Sequence, residues 1–121
     1  MRKIVWTPDV GRAHVENLRF MKKSTAPIKV GVLFSQSGAT STIETSQLQA
    51  TLLAFQEINE AGGIDGREMI AVHYDPASSP GTYKILAEKL IVEDGVRTIL
   101  GCYMSSTRKA VLPVVQRWNA M

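Results

Sequence analysis

Two short polar stretches, each following an apolar run, contain side chains suited to binding a small polar molecule. The first is Ser35-Gln36-Ser37, and the second contains Tyr103 and Ser105. Hydroxyl groups before a helix suit an anion or a carbonyl oxygen, and an aromatic wall with a phenol beside a hydroxyl can orient a small neutral molecule. The structural alternative is that the first loop only caps the helix after it and that Ser105 is a plain N-cap.

Side chains for catalysis or metal binding form no such group. His73 lies in an apolar stretch with Asp75 two positions later, which favours a structural histidine over a base or a metal ligand. Cys102 is the single cysteine, and its apolar setting favours a buried structural thiol. The first loop lacks a Walker lysine and the G-x-G-x-x-G spacing. We therefore predict no catalytic residue, no metal, no cofactor and no enzymatic activity.

The basic character of the chain lies before its patterned region. The 121 residues have a formal net charge of +3, but residues 1–27 hold six basic and two acidic side chains, against eight and nine in residues 28–121. Direct nucleic-acid binding is therefore not expected. No apolar run approaches the ~20 residues that cross a bilayer, so membrane insertion is not expected either.

Residues 1–27 show no sustained periodicity and are predicted to form a poorly ordered extension. Their longest apolar run is Ile4-Val5-Trp6, which is shorter than the ~7 to 15 residues of a secretory signal. We therefore expect a cytoplasmic protein, or a periplasmic one if the native start differs.

From Ile28 onward, apolar stretches alternate with amphipathic ones. The apolar stretches at 28–34, 69–74 and 96–102 are predicted strands, and helices are predicted near 43–61, 80–94 and 106–118. This alternation predicts an α/β fold in which a parallel sheet of order 2-1-3 lies between layers of helices.

Local signals indicate where the helices begin and which faces they bury. Ser41 and Glu44 match a capping box for the first helix, and Ser79-Pro80 places a cap before a first-turn proline for the second. Pro113 predicts a kink in the third helix unless it lies near the first turn. The residues predicted to face the core are Ala50, Leu53, Ala54, Ile58 and Ala61 in the first helix, Tyr83, Leu86, Ala87, Leu90 and Ile91 in the second, and Ala110, Val111, Val114, Val115 and Trp118 in the third.

Ligands of open parallel sheets bind beyond the carboxyl ends of the strands, near the point where the strand order reverses. Here that point lies between the first and third strands, so the two polar loops should meet there. Ser35, Gln36, Ser37, Tyr103 and Ser105 are therefore the candidate ligand-binding residues.

Three stretches, 31–38, 57–67 and 101–115, resemble a known family when taken in this order. They read GVLFSQSG, EINEAGGIDGR and GCYMSSTRKAVLPVV, and are similar to the N-terminal lobe of type I periplasmic binding proteins. The third stretch is similar more narrowly to the amide-sensing negative regulator of aliphatic amidase operons and to receptors for urea and short-chain amide transport.

The resemblance implies a receptor in which two α/β lobes close on a ligand by a hinge motion. The first-lobe tyrosine and serine of the amide pocket fall on Tyr103 and Ser105. The implied ligand is a small neutral amide, urea or an amino-acid-like molecule, and the implied partner is a transporter permease or an antiterminator regulator. Later ligand contacts have no counterpart, so we expect residues 28–121 to be the N-terminal part of a truncated first lobe.

Two alternatives belong to other functional classes. One is a small flavodoxin-like enzyme or phosphate-binding domain, but such domains have about five strands and only three are predicted here. The other is an interaction module that pairs with another chain, including a second copy of itself, through its open sheet edge.

Overall fold

The computed structural model describes residues 24–121, so most of the predicted extension, residues 1–27, lies outside the described residues. Three strands alternate with three helices along the chain. Their bounds are β1 Ile28–Leu33, α1 Ser41–Glu60, β2 Met69–His73, α2 Pro80–Val92, β3 Ile99–Gly101 and α3 Ser105–Arg117.

The three strands form one parallel sheet in the order β2-β1-β3. The central strand β1 is paired with both neighbours, from Ile28 opposite Met69 on one side and up to Leu33 opposite Gly101 on the other. The predicted sheet order is therefore confirmed. The third strand is shorter than predicted, because residues 96–98 precede the paired segment and Cys102 leaves extended geometry with φ 61°.

Alternate side chains of β1 enter two different cores, as expected for a strand between two helix layers. Val30 and Val32 pack with Leu48 and Phe55 of α1 on one face of the sheet. On the other face, Leu33 joins buried residues of α2 and α3, which are Tyr83, Ala87, Leu90, Ile91, Val111 and Val114. The result is the three-layer arrangement that the sequence predicted. No helix among residues 24–121 is long and apolar enough to cross a membrane.

The buried face of α1 differs from the prediction. Leu48 and Phe55 are buried and Ile58 is half-buried, whereas Ala50, Ala54 and Ala61 are exposed and Leu53 is 55% exposed. Apolar side chains occur on both sides of α1, so their spacing alone did not identify the side that meets the sheet.

The predicted capping box at the start of α1 is also wrong. Thr40 occupies the N-cap position, and no side chain of residues 24–121 makes a cap hydrogen bond there. Glu44 instead turns into the protein interior, where its carboxylate accepts hydrogen bonds from the hydroxyls of Thr40 and Tyr83.

Helix α2 follows its prediction closely. The Ser79 side chain accepts a hydrogen bond from the backbone N–H of Thr82, and Pro80 is the first helical residue. The predicted inner face is buried at Tyr83, Ala87, Leu90 and Ile91 and half-buried at Leu86.

Helix α3 continues through Pro113 to Arg117, with Val111 and Val114 buried as predicted. Trp118 was predicted to face the core, and this prediction is wrong. It is 37% exposed, and its indole N–H donates to the carboxylate of Glu88 at 3.3 Å.

The outer edge of β3 is partly occupied by Met121. The backbone N–H of Ile99 donates to the Met121 carbonyl at 2.7 Å, and the Met121 N–H donates to the Arg97 carbonyl at 2.8 Å. This is the bonding pattern of a parallel neighbour. Self-association through this edge stays a prediction.

Candidate functional site

The loops after β1 and β3 leave the sheet at the same edge. Leu33 is the last residue of β1 and pairs with Gly101, the last residue of β3. The Cys102 backbone N–H donates to the Leu33 carbonyl at 3.0 Å, which extends the contact by one residue. Both candidate loops therefore start side by side, and each leads into a helix N-terminus.

Of the three candidate residues in the loop after β1, one faces the protein interior and two face solvent. Ser35 is fully buried, with its hydroxyl 3.1 Å from the Tyr83 hydroxyl and accepting the Ser78 N–H at 2.8 Å. Gln36 and Ser37 are exposed. Ser35 thus anchors the loop from inside, while Gln36 and Ser37 face solvent at the sheet edge.

Asp75, two residues after the end of β2, joins that strand's loop to the loop after β1. Its carboxylate accepts the Gln36 N–H at 2.9 Å, the Ser37 hydroxyl at 2.8 Å and the Ala77 N–H at 3.0 Å. The slight burial of Asp75 acts to raise its pKa, but hydrogen bonds from Ala77, Ser37 and Gln36 outweigh it and lower the pKa from its ordinary value. The charged Asp75 side chain therefore holds Gln36 and Ser37 in a fixed conformation.

Positive φ angles occur at the last residue of β3, Gly101 at 135°, and at the first residue of the loop after it, Cys102 at 61°. Burial and, to a lesser extent, the nearby Glu44 carboxylate together raise the pKa of the Cys102 thiol to about 11. A thiol with a raised pKa is a poor nucleophile near neutral pH, in agreement with the structural role predicted for it. The same turn brings out Tyr103, which is 48% exposed.

Ser105 is the first residue of α3 and not its N-cap, so the plain N-cap alternative is wrong. Met104 occupies the cap position, and in the described chain no side chain caps this helix end. The first N–H groups of a helix have no intrahelical acceptor. The exposed Ser105 hydroxyl therefore lies beside backbone donors at a positive helix end.

Glu44 and Tyr83 support this edge from below, and sequence reasoning assigned neither to the site. Burial raises the pKa of Tyr83, and its hydrogen bond to Glu44 raises it further, so the phenol keeps its proton. The sequence held one signal that Glu44 faces inward. Glu44 lies four residues before Leu48, which is buried, and residues four apart share one face of a helix.

The remaining sequence candidates have structural roles or lie elsewhere. The ring Nε2 of His73 is 3.0 Å from the Phe34 carbonyl, as expected for a structural histidine. Residues 24–121 contain no group of three or more His, Cys, Asp or Glu side chains arranged to hold a metal ion. Cavities of about 310 and 440 Å³ lie away from the candidate loops, near Gly63 and near Lys29.

Comparisons with known proteins identify amino-acid receptors as relatives. The Leu/Ile/Val/Thr-binding protein of Salmonella typhimurium is 34% identical over 80 residues, which cover 66% of this chain and 22% of the relative. The leucine-, isoleucine-, valine-, threonine- and alanine-binding protein of Pseudomonas aeruginosa is 29% identical over 89 residues, which cover 74% and 24%.

A solved structure agrees. The branched-chain amino acid transporter substrate-binding protein LivJ of Streptococcus pneumoniae, in complex with isoleucine, superimposes with a TM-score of 0.76 at 28% identity and covers 78% of this chain. The chain spans 27% of that structure and about a quarter or less of the curated relatives it matches. These relatives bear the names of amino acids, so the narrower resemblance to amide and urea receptors stays a prediction.

Residues 28–121 match the family described as the periplasmic binding protein domain. The match takes in all three strands and all three helices of the described fold. The chain belongs to this family, as an N-terminal part of the type I periplasmic binding protein fold.

Proposed function

We propose that the sheet edge bearing Gln36, Ser37, Tyr103 and Ser105 is one wall of a small-solute site, in a chain that works as part of an ABC-transporter receptor. One observation supports this most strongly. The end of β3 lies beside the end of β1, where the loop after β1 starts. The half-exposed Tyr103 ring and the uncapped N-terminus of α3 come directly after the end of β3 along the chain. A ligand at that edge meets an apolar ring, a hydroxyl and free backbone donors together.

The ligand class that this arrangement suits best is an amino acid with an apolar side chain. The first turn of α3 contains no acidic residue, and Arg108 and Lys109 follow closely. A positive helix end with free N–H groups stabilises an anionic oxygen, such as a carboxylate. Most ligands in the names of the amino-acid-binding relatives belong to the same class, namely leucine, isoleucine, valine and alanine.

A short-chain amide or urea is the second candidate. Tyr103 and Ser105 lie two residues apart at the edge, and the stretch from Gly101 to Ser105 resembles that of amide receptors. A neutral amide uses the phenol and the hydroxyl as hydrogen-bonding partners and does not need the positive helix end. In that case the partner is an antiterminator regulator or an amide permease, and otherwise it is an amino-acid permease.

We expect residues 1–121 alone to bind leucine and propionamide weakly, with a Kd above about 1 mM. The best small ligands gain about 1.5 kcal/mol per heavy atom, and only when well enclosed. Small-molecule pockets bury about 70–90% of the ligand surface, whereas Tyr103 and Ser105 lie on an open edge. Titration followed by ¹H–¹⁵N NMR should show fast-exchange shifts confined to Gln36, Ser37 and residues 103–107.

Two variants control this titration. Ser105→Ala should reduce the shifts of residues 105–107, while Glu57→Ala, an exposed change at the far end of α1, should leave them unchanged. Larger shifts with leucine than with propionamide favour the amino-acid class, and the reverse order favours amides. Shifts scattered over the sheet, or saturable binding well below millimolar, would show that this edge is not an open wall of a ligand site.

A further inference from the structure

A closed set of hydrogen bonds lies beneath the loop after β1. It joins Ser35, Thr40, Glu44, Ser78 and Tyr83, which come from two loops and two helices, and it closes where the Thr40 backbone N–H donates to the Ser78 hydroxyl. Three of its members are buried, namely Ser35, Glu44 and Tyr83, and none of them is more than 1% exposed. The hydrogen bonds therefore connect the protein interior to the loop that presents Gln36 and Ser37.

The number of available protons fixes the direction of these bonds. The Tyr83 hydroxyl gives its single proton to one carboxylate oxygen of Glu44, and the Thr40 hydroxyl gives its proton to the other. The Tyr83 oxygen is then left to accept the Ser35 proton across 3.1 Å. Ser35 in turn accepts the Ser78 N–H at 2.8 Å. The Glu44 carboxylate thus orients the hydroxyl protons of Tyr83, Thr40 and Ser35.

We propose that Glu44 and Tyr83 are positioning residues for the ligand site, because their hydrogen bonds set the conformation of the loop from Ser35 to Thr40. This inference rests on the proposed function of the edge. A buried carboxylate is a poor source of stability, since an apolar group of similar size is often at least as stabilising. The Glu44 carboxylate is bonded directly to Thr40 and through Tyr83 to Ser35, the two ends of the loop, so what it specifies is the loop's shape.

The loop is held on its outer side as well. The Ser78 hydroxyl donates to the Ser37 carbonyl at 3.0 Å, and Asp75 holds the Gln36 N–H and the Ser37 hydroxyl. A loop fixed from both sides loses little conformational entropy when a ligand binds. Loosening the inner attachment should therefore weaken ligand binding although no ligand contact is removed.

Tyr83→Phe in the 121-residue chain tests this, because it removes one hydroxyl and keeps the ring. In the ligand-free NMR spectrum, the amides of residues 35–40 should shift or broaden. The leucine Kd should rise about fivefold, as for the loss of one hydrogen bond. Ile91→Val is the matched control, since it removes a buried methyl group from the same helix. It should lower Tm while leaving the loop amides and the Kd unchanged.

The outcomes separate this inference from the proposed function. Absence of leucine shifts at this edge in the parent chain overturns both. Suppose instead that leucine shifts this edge in the parent chain, and that folded Tyr83→Phe has the same amide spectrum for residues 35–40 and the same leucine Kd. That result overturns this inference alone. If Tyr83→Phe does not fold, Glu44→Gln tests the positioning role instead. This substitution keeps one oxygen that can accept the Tyr83 proton, but it replaces the other carboxylate oxygen by an amide N–H₂ group. Shifted amides of residues 35–40 and a higher leucine Kd in Glu44→Gln support the positioning role. Unchanged amide shifts and an unchanged Kd refute it.

Discussion

Gly101→Ala is expected to destabilise the chain by about 3 kcal/mol or more. Gly101 has φ 135°, a backbone region that is almost restricted to glycine. A Cβ atom at this position would lie 2.0 Å from the Leu33 carbonyl oxygen, so β1 and β3 would have to separate where they pair. Urea denaturation followed by circular dichroism measures the loss in the free energy of unfolding.

Gly66→Ala is the matched control for this substitution. Gly66 also has a positive φ, 73°, but a Cβ atom there meets nothing within 4 Å. Only the backbone preference is lost, at about 1 kcal/mol. Equal losses in the two variants would contradict the close approach of Gly101 to β1, and with it the geometry that directs Tyr103 to the edge.

Leu90→Ala is expected to cost about 3 kcal/mol, within the usual range for buried leucine. Leu90 is fully buried on α2 in the core beneath β1. It packs against Gly31, whose missing side chain leaves room for it: a Cβ atom on Gly31 would lie 2.9 Å from the Leu90 Cδ1. Thermal and urea denaturation give the change in stability.

A double-mutant cycle tests whether Gly31 and Leu90 are matched in size. Gly31→Ala alone should destabilise the chain by about 1–3 kcal/mol through overpacking. In the Leu90→Ala background it should cost at least about 1 kcal/mol less, because the nearest clash is gone and the new methyl group fills part of the cavity. Strict additivity of the two substitutions would show that this contact does not determine the packing.

The sheet and its order were predictable because strands buried on both faces are short, apolar and β-branched, and because parallel crossovers are right-handed. Helix α2 was predictable for a similar reason, since Ser79, Pro80 and a single apolar stripe all indicate the same start and the same face. In such elements, the local signals and the long-range packing agree.

The inner face of α1 was not predictable, because Ala50, Leu53 and Ala54 lie on its exposed side and form an apolar stripe of their own. Glu44 was misassigned for a related reason. Its sequence spacing from Ser41 fits a capping box, but its partner Tyr83 is 39 residues away and on another helix. Contacts between distant segments decide both cases, and spacing along the chain does not contain them.

The candidate site was predictable at the level of topology. Parallel strands place their carboxyl ends together, which brings the loops of Ser37 and Tyr103 to one edge. The supports of that edge were not predictable, because Asp75 and Tyr83 act through hydrogen bonds to residues 38 and 48 positions away.

The most direct test of the account is a calorimetric titration with leucine of a chimeric receptor. In it, residues 28–121 replace the matching segment of the Pseudomonas aeruginosa relative, which then supplies the rest of the receptor. We predict a cooperatively folded protein that binds leucine, in which Tyr103→Ala and Ser105→Ala each weaken binding by about tenfold or more while Glu57→Ala does not. A folded chimera that binds leucine equally well with and without Tyr103 and Ser105 would contradict the claim that this edge is a wall of the ligand site.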